Sequence, residues 1–104
     1  MNPIIDTNDI TRYLVNGLYH REDGPALVTG KLTSWYLNGE LHREDGPAVE
    51  YNDGSCKGWY RNDVLHREDG PAYIDSSGQY WWLNGIEYSK EQYTLMMFFG
   101  VKDV

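Results

Sequence analysis

The heptapeptide HREDGPA occurs at residues 20–26 and returns unchanged at residues 42–48 and 66–72. Successive copies start 22 and 24 residues apart, and a nearly fixed period of this length is the signature of a protein built from stacked repeats. All three histidines and three of the four prolines of the chain lie inside these copies. The repeat therefore decides the fold, and it contains the residues that would otherwise indicate a catalytic centre.

Each copy follows a short aromatic strand and a turn. Asn38-Gly39 and Asn84-Gly85 accept positive φ at both central positions, which favours a two-residue type I′ hairpin. A second turn in each period returns the chain towards the next aromatic cluster. The alternation predicts an all-β fold, an elongated antiparallel sheet of hairpin repeats with about four units and a period of 22–24 residues. In the fourth unit Tyr88 stands where the histidine is expected, so the last repeat is degraded.

The Asp-Gly-Pro segment of each copy predicts a kinked corner. Aspartate can bond its own backbone in a turn, glycine permits a backbone angle that other residues resist, and proline removes a donor. Such a segment suits a bulge or an edge of a sheet. We expect each histidine to pack and bond within its corner. We also expect the arginine of one unit to reach an acidic residue of the next unit.

The chain changes its period after the last repeat. Residues 89–92 have the Ser-x-x-Gln form of a capping box, which predicts a short helix over residues 90–99. Tyr93, Met96 and Met97 share one face of this helix and would cap the open end of the sheet, a dimer seam being the alternative use of that face. Near the other end of the chain, an apolar Ile-Ile pair can add an edge strand. We expect one domain, 1–104, with an N-terminal extension over 1–11, repeats over 12–88, and the helix and tail over 89–104.

Composition limits the class of protein. The chain has 104 residues, 9 basic and 16 acidic, for a net charge of −7, and 14% of its residues are aromatic, which is too many for a disordered chain. Phosphate backbones and anionic membranes repel such an acidic protein, so we expect no direct nucleic-acid or membrane binding. Cys56 is the single cysteine and cannot form an intrachain disulfide. We therefore expect a cytoplasmic protein.

The alternation of aromatic strand, Asn-Gly turn, histidine, glycine-containing corner and second strand covers roughly residues 12–88 and resembles the MORN repeat, in a variant whose corner reads HREDGPA. The standard MORN corner is a shorter His-Gly-x-Gly, so lipid binding is not carried over. The resemblance implies a binding scaffold of β-hairpins, of a kind common in bacteriophages, prophages and large DNA viruses. If the chain is phage-encoded, it implies a location in the host cytoplasm.

A histidine beside two carboxylates could serve acid–base chemistry or hold a metal. A catalytic site needs unlike groups that converge on one substrate, whereas this sequence strings three identical groups along a sheet. We therefore expect no catalytic residue, no metal and no cofactor. A small nuclease or hydrolase that uses the histidines and glutamates is one alternative.

The aromatic residues form two rows on opposite faces of the predicted sheet, because side chains alternate along a strand. We expect one row to form the core and the other to stay at least partly in water, where it would mark a contact site. Alternatively, the sheet closes on itself or pairs with a second copy, a possible homodimer, and buries both rows. The predicted contact residues, aromatic first and polar rim second, are Trp35, Tyr36, Trp59, Tyr60, Trp81, Trp82, Arg43, Glu44, Arg67 and Glu68.

These features favour a non-enzymatic scaffold that binds a protein partner. The acidic stripe formed by the HRED segments of the three copies would lie on a basic surface of that partner. The resemblance implies a host enzyme or defence complex, bound and inhibited. The alternative is recognition of cell-wall glycan or of choline-like ligands, because repeated Trp-Tyr hairpins can stack on sugars or surround a quaternary ammonium.

Overall fold

The structure is a computed structural model that describes residues 3–5 and 8–101. Parts of the predicted N-terminal extension and C-terminal tail, residues 1, 2, 6, 7 and 102–104, lie outside the described residues. In chain order the described elements are β1 (Ile4–Ile5), β2 (Thr11–Arg12), β3 (Leu14–Val15), β4 (Leu18–Tyr19), β5 (Leu27–Val28), β6 (Leu32–Ser34), β7 (Tyr36–Leu37), β8 (Glu40–Leu41), β9 (Val49–Tyr51), β10 (Lys57–Gly58), β11 (Tyr60–Arg61), β12 (Val64–Leu65), β13 (Tyr73–Asp75), β14 (Gly78–Leu83), β15 (Ile86–Tyr88) and α1 (Lys90–Phe98).

Nine of these strands form one open antiparallel sheet in the order β1-β2-β5-β6-β9-β10-β13-β14-β15. The other strands pair as three hairpins, β3-β4, β7-β8 and β11-β12. The predicted all-β hairpin-repeat sheet with a C-terminal helix is confirmed. The predicted edge strand is also present, because Ile4 pairs with Arg12 and Ile5 with Thr11.

In the first three units the strand that leads into the hairpin is interrupted at one aromatic residue, whose backbone holds both ends of the corner that follows. The N–H of Trp35 donates to the carbonyl of Ala48 at 2.7 Å, and its carbonyl accepts the N–H of His42 at 3.0 Å. The backbones of Tyr13 and Trp59 make the same two bonds in their own units. The heptapeptide is thus a large bulge, anchored at its first and last residues, and it divides each of these units into short strands.

The hairpin turns have the predicted geometry. Asn38 and Gly39 have φ of 50° and 82°, and Asn84 and Gly85 have φ of 49° and 79°. Positive φ at both central positions defines the type I′ turn, whose twist matches that of the flanking strands. The Asn-Asp turn of the third unit keeps this geometry, with both residues at positive φ.

The fourth unit has no corner. Trp81 pairs directly with Tyr88, so β14 continues without interruption into its hairpin. Ser89 then begins α1 with the predicted capping box, in which its hydroxyl accepts the N–H of Gln92 and the Gln92 side chain accepts the N–H of Ser89. Tyr93 is buried, and its hydroxyl donates to the carbonyl of Arg67 at 2.5 Å, so the helix closes the third corner.

The molecule is a thin plate of 47 × 28 × 17 Å. The side chains of the three corner alanines, Ala26, Ala48 and Ala72, are fully buried, and Leu83 is the largest fully buried side chain in the described part of the chain. A plate of this thickness cannot enclose either aromatic row, and the six predicted contact aromatics are all half-buried. The expectation that one row forms the core is therefore wrong. No helix in the described ranges has the length and apolar character that a bilayer crossing requires.

Candidate functional site

The arginine of each HREDGPA copy folds back over its own corner. In the second copy the guanidinium lies 4.0 Å from the ring centre of Trp35. Arg43 Nε donates to Asp45 Oδ1 at 2.9 Å, and its Nη1 donates to the carbonyl of Pro47 at 3.2 Å. The first and third copies repeat all three contacts, with guanidinium-to-ring distances of 4.1 and 3.8 Å. The prediction that these arginines reach the acids of the next unit is wrong, because the unit's own aromatic ring and corner carbonyl hold the guanidinium.

The corner glycine leaves room for this arginine. A Cβ at Gly46 would lie 2.8 Å from Arg43 Cζ, and the first and third copies give 2.6 and 2.8 Å. None of these corner glycines has positive φ. The expectation that the glycine supplies an unusual backbone angle is therefore wrong. Glycine is needed here because any side chain would occupy the space taken by the arginine.

The histidines connect neighbouring units. Nδ1 of His42 accepts the backbone N–H of Asn62, at 3.1 Å, in the hairpin turn of the next unit. The first and third histidines accept the equivalent N–H at 2.9 Å each. The prediction that each histidine bonds within its own corner is wrong for Nδ1, which accepts its N–H from the adjacent hairpin, and holds for Nε2 of His66, which bonds Glu68 of the same corner. With Nδ1 as an acceptor, the proton of the neutral ring is on Nε2, which faces the glutamate two residues later.

The third copy is the most enclosed. His66 is 4% exposed, and its Nε2 lies 2.8 Å from Glu68 Oε2. Arg61 approaches the same carboxylate at 3.5 Å. Both nitrogens of this imidazole therefore have protein partners, as expected for a structural histidine. Within the described ranges, no three side chains of His, Cys, Asp or Glu are grouped so that they could hold a metal ion.

The predicted contact residues lie on two faces. We call the face with Trp35, Trp59 and Trp81 the corner face. Its open clefts lie between successive corners, and the cleft between the second and third corners, about 590 Å³, is lined by Trp59 and by the whole predicted polar rim. Lys90 lies 5.8 Å from the ring centre of Trp81, so each tryptophan of this face carries a cation of the chain itself. The rim residues that the structure brings together there are Arg43, Glu44, Arg67 and Glu68.

The opposite face, which we call the tyrosine face, carries the other three predicted aromatics, Tyr36, Tyr60 and Trp82. Between the third and fourth hairpins it holds a groove of about 350 Å³. We call this the aromatic groove. It is lined by Tyr60, Leu65, Tyr73, Asp75, Tyr80, Trp82 and Glu87.

Hydrogen bonds hold the aromatic groove in place. Tyr80 shares a bond of 2.6 Å with the Ser77 hydroxyl, which also donates to Asp75 Oδ1. The bonds from Ser77 lower the pKa of Asp75, so this carboxylate stays ionised at neutral pH. The hydrogen bond with Cys56, together with burial, raises the pKa of Tyr73 to about 12. The rings of Tyr73 and Tyr80 pack against each other at 6.2 Å between ring centres, with their planes tilted by 47°.

The helix adds a surface that the sequence reasoning missed. Leu95, Phe98 and Phe99 are 60%, 80% and 72% exposed, and the two phenylalanine rings pack edge to face at 5.1 Å. The signal was present in the sequence, because a helix that buries Tyr93 and half-buries Met96 directs its other apolar residues outwards.

The fold and these surfaces define an open, acidic, hairpin-repeat protein with half-buried aromatic faces. Comparison with family models, with curated proteins and with solved structures gave no match to this chain. The resemblance to the MORN repeat accordingly depends on the HREDGPA copies and the Asn-Gly hairpins alone.

Proposed function

We propose that this chain is a non-enzymatic repeat scaffold that binds a protein partner with a basic surface. The single observation that carries the proposal is the outward side of α1, where Leu95, Phe98 and Phe99 are more than half exposed. A contiguous apolar patch of this kind is the usual mark of a protein contact, because leaving it in water is unfavourable. The net charge of −7 favours a basic partner over a second acidic copy of the chain.

The corner geometry supports a scaffold over an enzyme. The groups that could perform chemistry, the histidines and arginines of the three copies, are engaged in bonds that join units or brace corners. A general base must be free to reach a substrate proton, whereas the Nδ1 atoms of these rings already accept backbone N–H groups.

The corner face favours a protein partner over a choline-like or glycan ligand. The rings of Trp35, Trp59 and Trp81 each carry a resident cation on one side. A sugar or quaternary ammonium on that side would have to displace this cation, so we favour the protein partner. If the chain is phage-encoded, as the resemblance implies, the partner is a host enzyme or defence complex that is inhibited by occupation of its basic surface.

The test compares two variants that exchange exposed apolar residues for serine at opposite ends of the molecule. Phe98→Ser combined with Phe99→Ser changes α1, and Ile5→Ser, at a residue that is 70% exposed, is the matched control. A partner captured by the wild type should be retained by the control, lost by the helix variant and released by added salt. Equal retention by all three proteins, with circular dichroism showing that each is folded, would contradict the proposal.

A further inference from the structure

The geometry points to the aromatic groove as the site where a lysine or arginine side chain of the partner inserts. This inference rests on the proposed function, because it supposes a protein partner with a basic surface. It assigns a chemical role to Tyr60, Tyr73, Tyr80 and Trp82 on the tyrosine face, away from the HREDGPA corners. Four aromatic rings around one groove present the π surface to which organic cations are attracted.

Two carboxylates complete the groove. Asp75 and Glu87 line it together with the rings, and its described lining residues include no basic side chain. The Ser77 bonds to Asp75 both end on Oδ1, which fixes the orientation of that carboxylate beside the rings. An aromatic surface with fixed carboxylates and no internal cation is complementary to a cationic side chain and has a polar contact to orient it.

The groove arises where the fourth unit departs from the repeat. Glu87 pairs with Trp82 across its hairpin, at the position that Leu65 occupies opposite Tyr60 in the third unit. The second unit has leucine there and the first has tyrosine. The fourth unit thus replaces an apolar side chain with an exposed carboxylate beside the aromatic rings.

Tyr80 is a second departure from the repeat. It precedes Trp81 as Gly58 precedes Trp59 and Ser34 precedes Trp35, so a ring occupies a position where the second and third units have a small residue. A third departure is Asp75, at the position of the exposed aromatic residue of the preceding unit. These changes add aromatic surface and negative charge at the same place, which repeat architecture alone does not require.

The corner face shows that this chain already pairs rings with cations. Its guanidinium groups lie 3.8 to 4.1 Å from the ring centres of Tyr13, Trp35 and Trp59. The aromatic groove offers rings of the same kind with two carboxylates beside them, and we infer that the partner supplies the cation.

The experiment titrates the isolated chain with small probes and follows the ring resonances of the groove by NMR. The probes are three blocked tripeptides with lysine, arginine or the neutral isostere norleucine at the centre, and tetramethylammonium. The lysine and arginine peptides should shift the signals of Tyr60, Tyr73, Tyr80 and Trp82 with millimolar affinity, and the norleucine peptide should not. Equal shifts by norleucine would overturn the inference, as would binding of tetramethylammonium without binding of either basic peptide.

Variants locate the site. Glu87→Gln should weaken lysine binding about fivefold, the effect of one carboxylate at a partly exposed cation. Trp82→Leu should weaken it about tenfold. The matched control is Glu22→Gln, which makes the same charge change on the corner face, outside the predicted contact residues, where the carboxylate side chain is 83% exposed. Equal weakening by both glutamate variants would contradict a local site, and Glu87→Gln decides the matter if Trp82→Leu does not fold.

The two proposals fail separately. Peptide binding to the groove requires no partner, so it can be absent while the wild type still captures a partner through Phe98 and Phe99. In that case the scaffold proposal stands and the groove proposal fails. If the peptides bind but the α1 variants retain every captured protein, the groove remains a cation site and the role of the helix is wrong.

Discussion

Gly46 and Arg43 should be energetically coupled, because the glycine provides the space into which the arginine folds. Gly46→Ala places a Cβ 2.8 Å from Arg43 Cζ, so the guanidinium must shift, and we expect it to leave the ring of Trp35. In an Arg43→Ala background the same glycine substitution meets no guanidinium. The cost of Gly46→Ala should therefore depend on the presence of the arginine.

The magnitude follows from the contacts that are lost. A guanidinium over an aromatic ring contributes roughly 0.5–2 kcal/mol, and a bond from a charged donor roughly 1.5–3 kcal/mol. The Arg43 side chain is 23% exposed, so we take the lower end of both ranges and expect a loss of about 2 kcal/mol. For a chain of 104 residues this corresponds to a fall of about 9 °C in Tm. We assign no free energy to the bond with Asp45, because its carboxylate side chain is 81% exposed.

The assay is urea unfolding of the wild type, both single variants and the double variant. We expect each single variant to lose about 2 kcal/mol and the double variant to lose hardly more, which is a coupling of about 2 kcal/mol. Alanine at Gly46 can even stabilise the Arg43→Ala protein slightly, because it restricts the unfolded chain. The control is Gly30→Ala, at an exposed glycine whose added Cβ would meet no atom within 4 Å.

Additive losses, with a coupling below about 0.5 kcal/mol, would refute this account of the corner. A second measurement is independent of stability. The hydrogen bond from Arg43 lowers the pKa of Asp45, so an NMR titration should show that pKa rising towards its ordinary value in both single variants. An unchanged titration in Gly46→Ala would mean that the guanidinium has kept its place.

Three further predictions concern the histidines, the helix and alkaline pH. In urea unfolding, His66→Ala should lower the free energy of unfolding by about 3 kcal/mol and His20→Ala by about half of that. The reason is burial, because the His66 side chain is 2% exposed and the His20 side chain 15% exposed. Equal losses in the two variants would contradict this reasoning. Tyr93→Phe removes a hydroxyl that is hydrogen-bonded to two backbone groups of the third corner. It should lower the free energy of unfolding by about 1–2 kcal/mol and weaken the helical circular dichroism signal. An unchanged stability and signal would show that the helix docks without this hydroxyl. The fold raises the pKa of Tyr73 from 10.0 to about 12, so its protonated hydroxyl stabilises the fold fully below pH 10.0 and loses this effect as the pH rises to about 12. Cys56→Ala should narrow this pH range, as followed by phenolate titration and by unfolding. An unchanged pH range would exclude the hydrogen bond with Cys56 as the cause.

The hairpin framework could be predicted from the sequence because its signals are local. Asn38-Gly39 defines a type I′ turn by its own φ preferences, and the Ser89 capping box defines the start of α1. The extent of the sheet followed from the repeat period. These features depend on residues that are close together in the chain, so composition and spacing were sufficient.

The corner chemistry could not be predicted, because it depends on contacts between units and on the path of long side chains. The bond from Asn62 to His42 spans 20 residues and requires the offset between adjacent hairpins. Arg43 has acids both in its own corner and in the neighbouring one, and only the position of Trp35 decides between them. The burial of the aromatic rows was open for a related reason, since alternation assigns faces but not the thickness of the molecule.

The fourth unit shows how far a repeat can be interpreted before its structure is known. The replacement of histidine by Tyr88 marks that unit as degraded in the sequence. The structure adds that Tyr80 and Glu87 of this unit and Asp75 of the preceding strand lie in one groove. The sequence could flag each substitution, but cross-strand register was needed to place them together.

The central claim is that the histidines of the three HREDGPA copies serve to join neighbouring hairpins. NMR detection of scalar coupling through the hydrogen bond tests this directly, because it connects a backbone amide nitrogen to the Nδ1 atom that accepts its proton. We predict three couplings, from Asn38 to His20, from Asn62 to His42 and from Asn84 to His66. Histidine rings that show no such coupling and carry their proton on Nδ1 would contradict it.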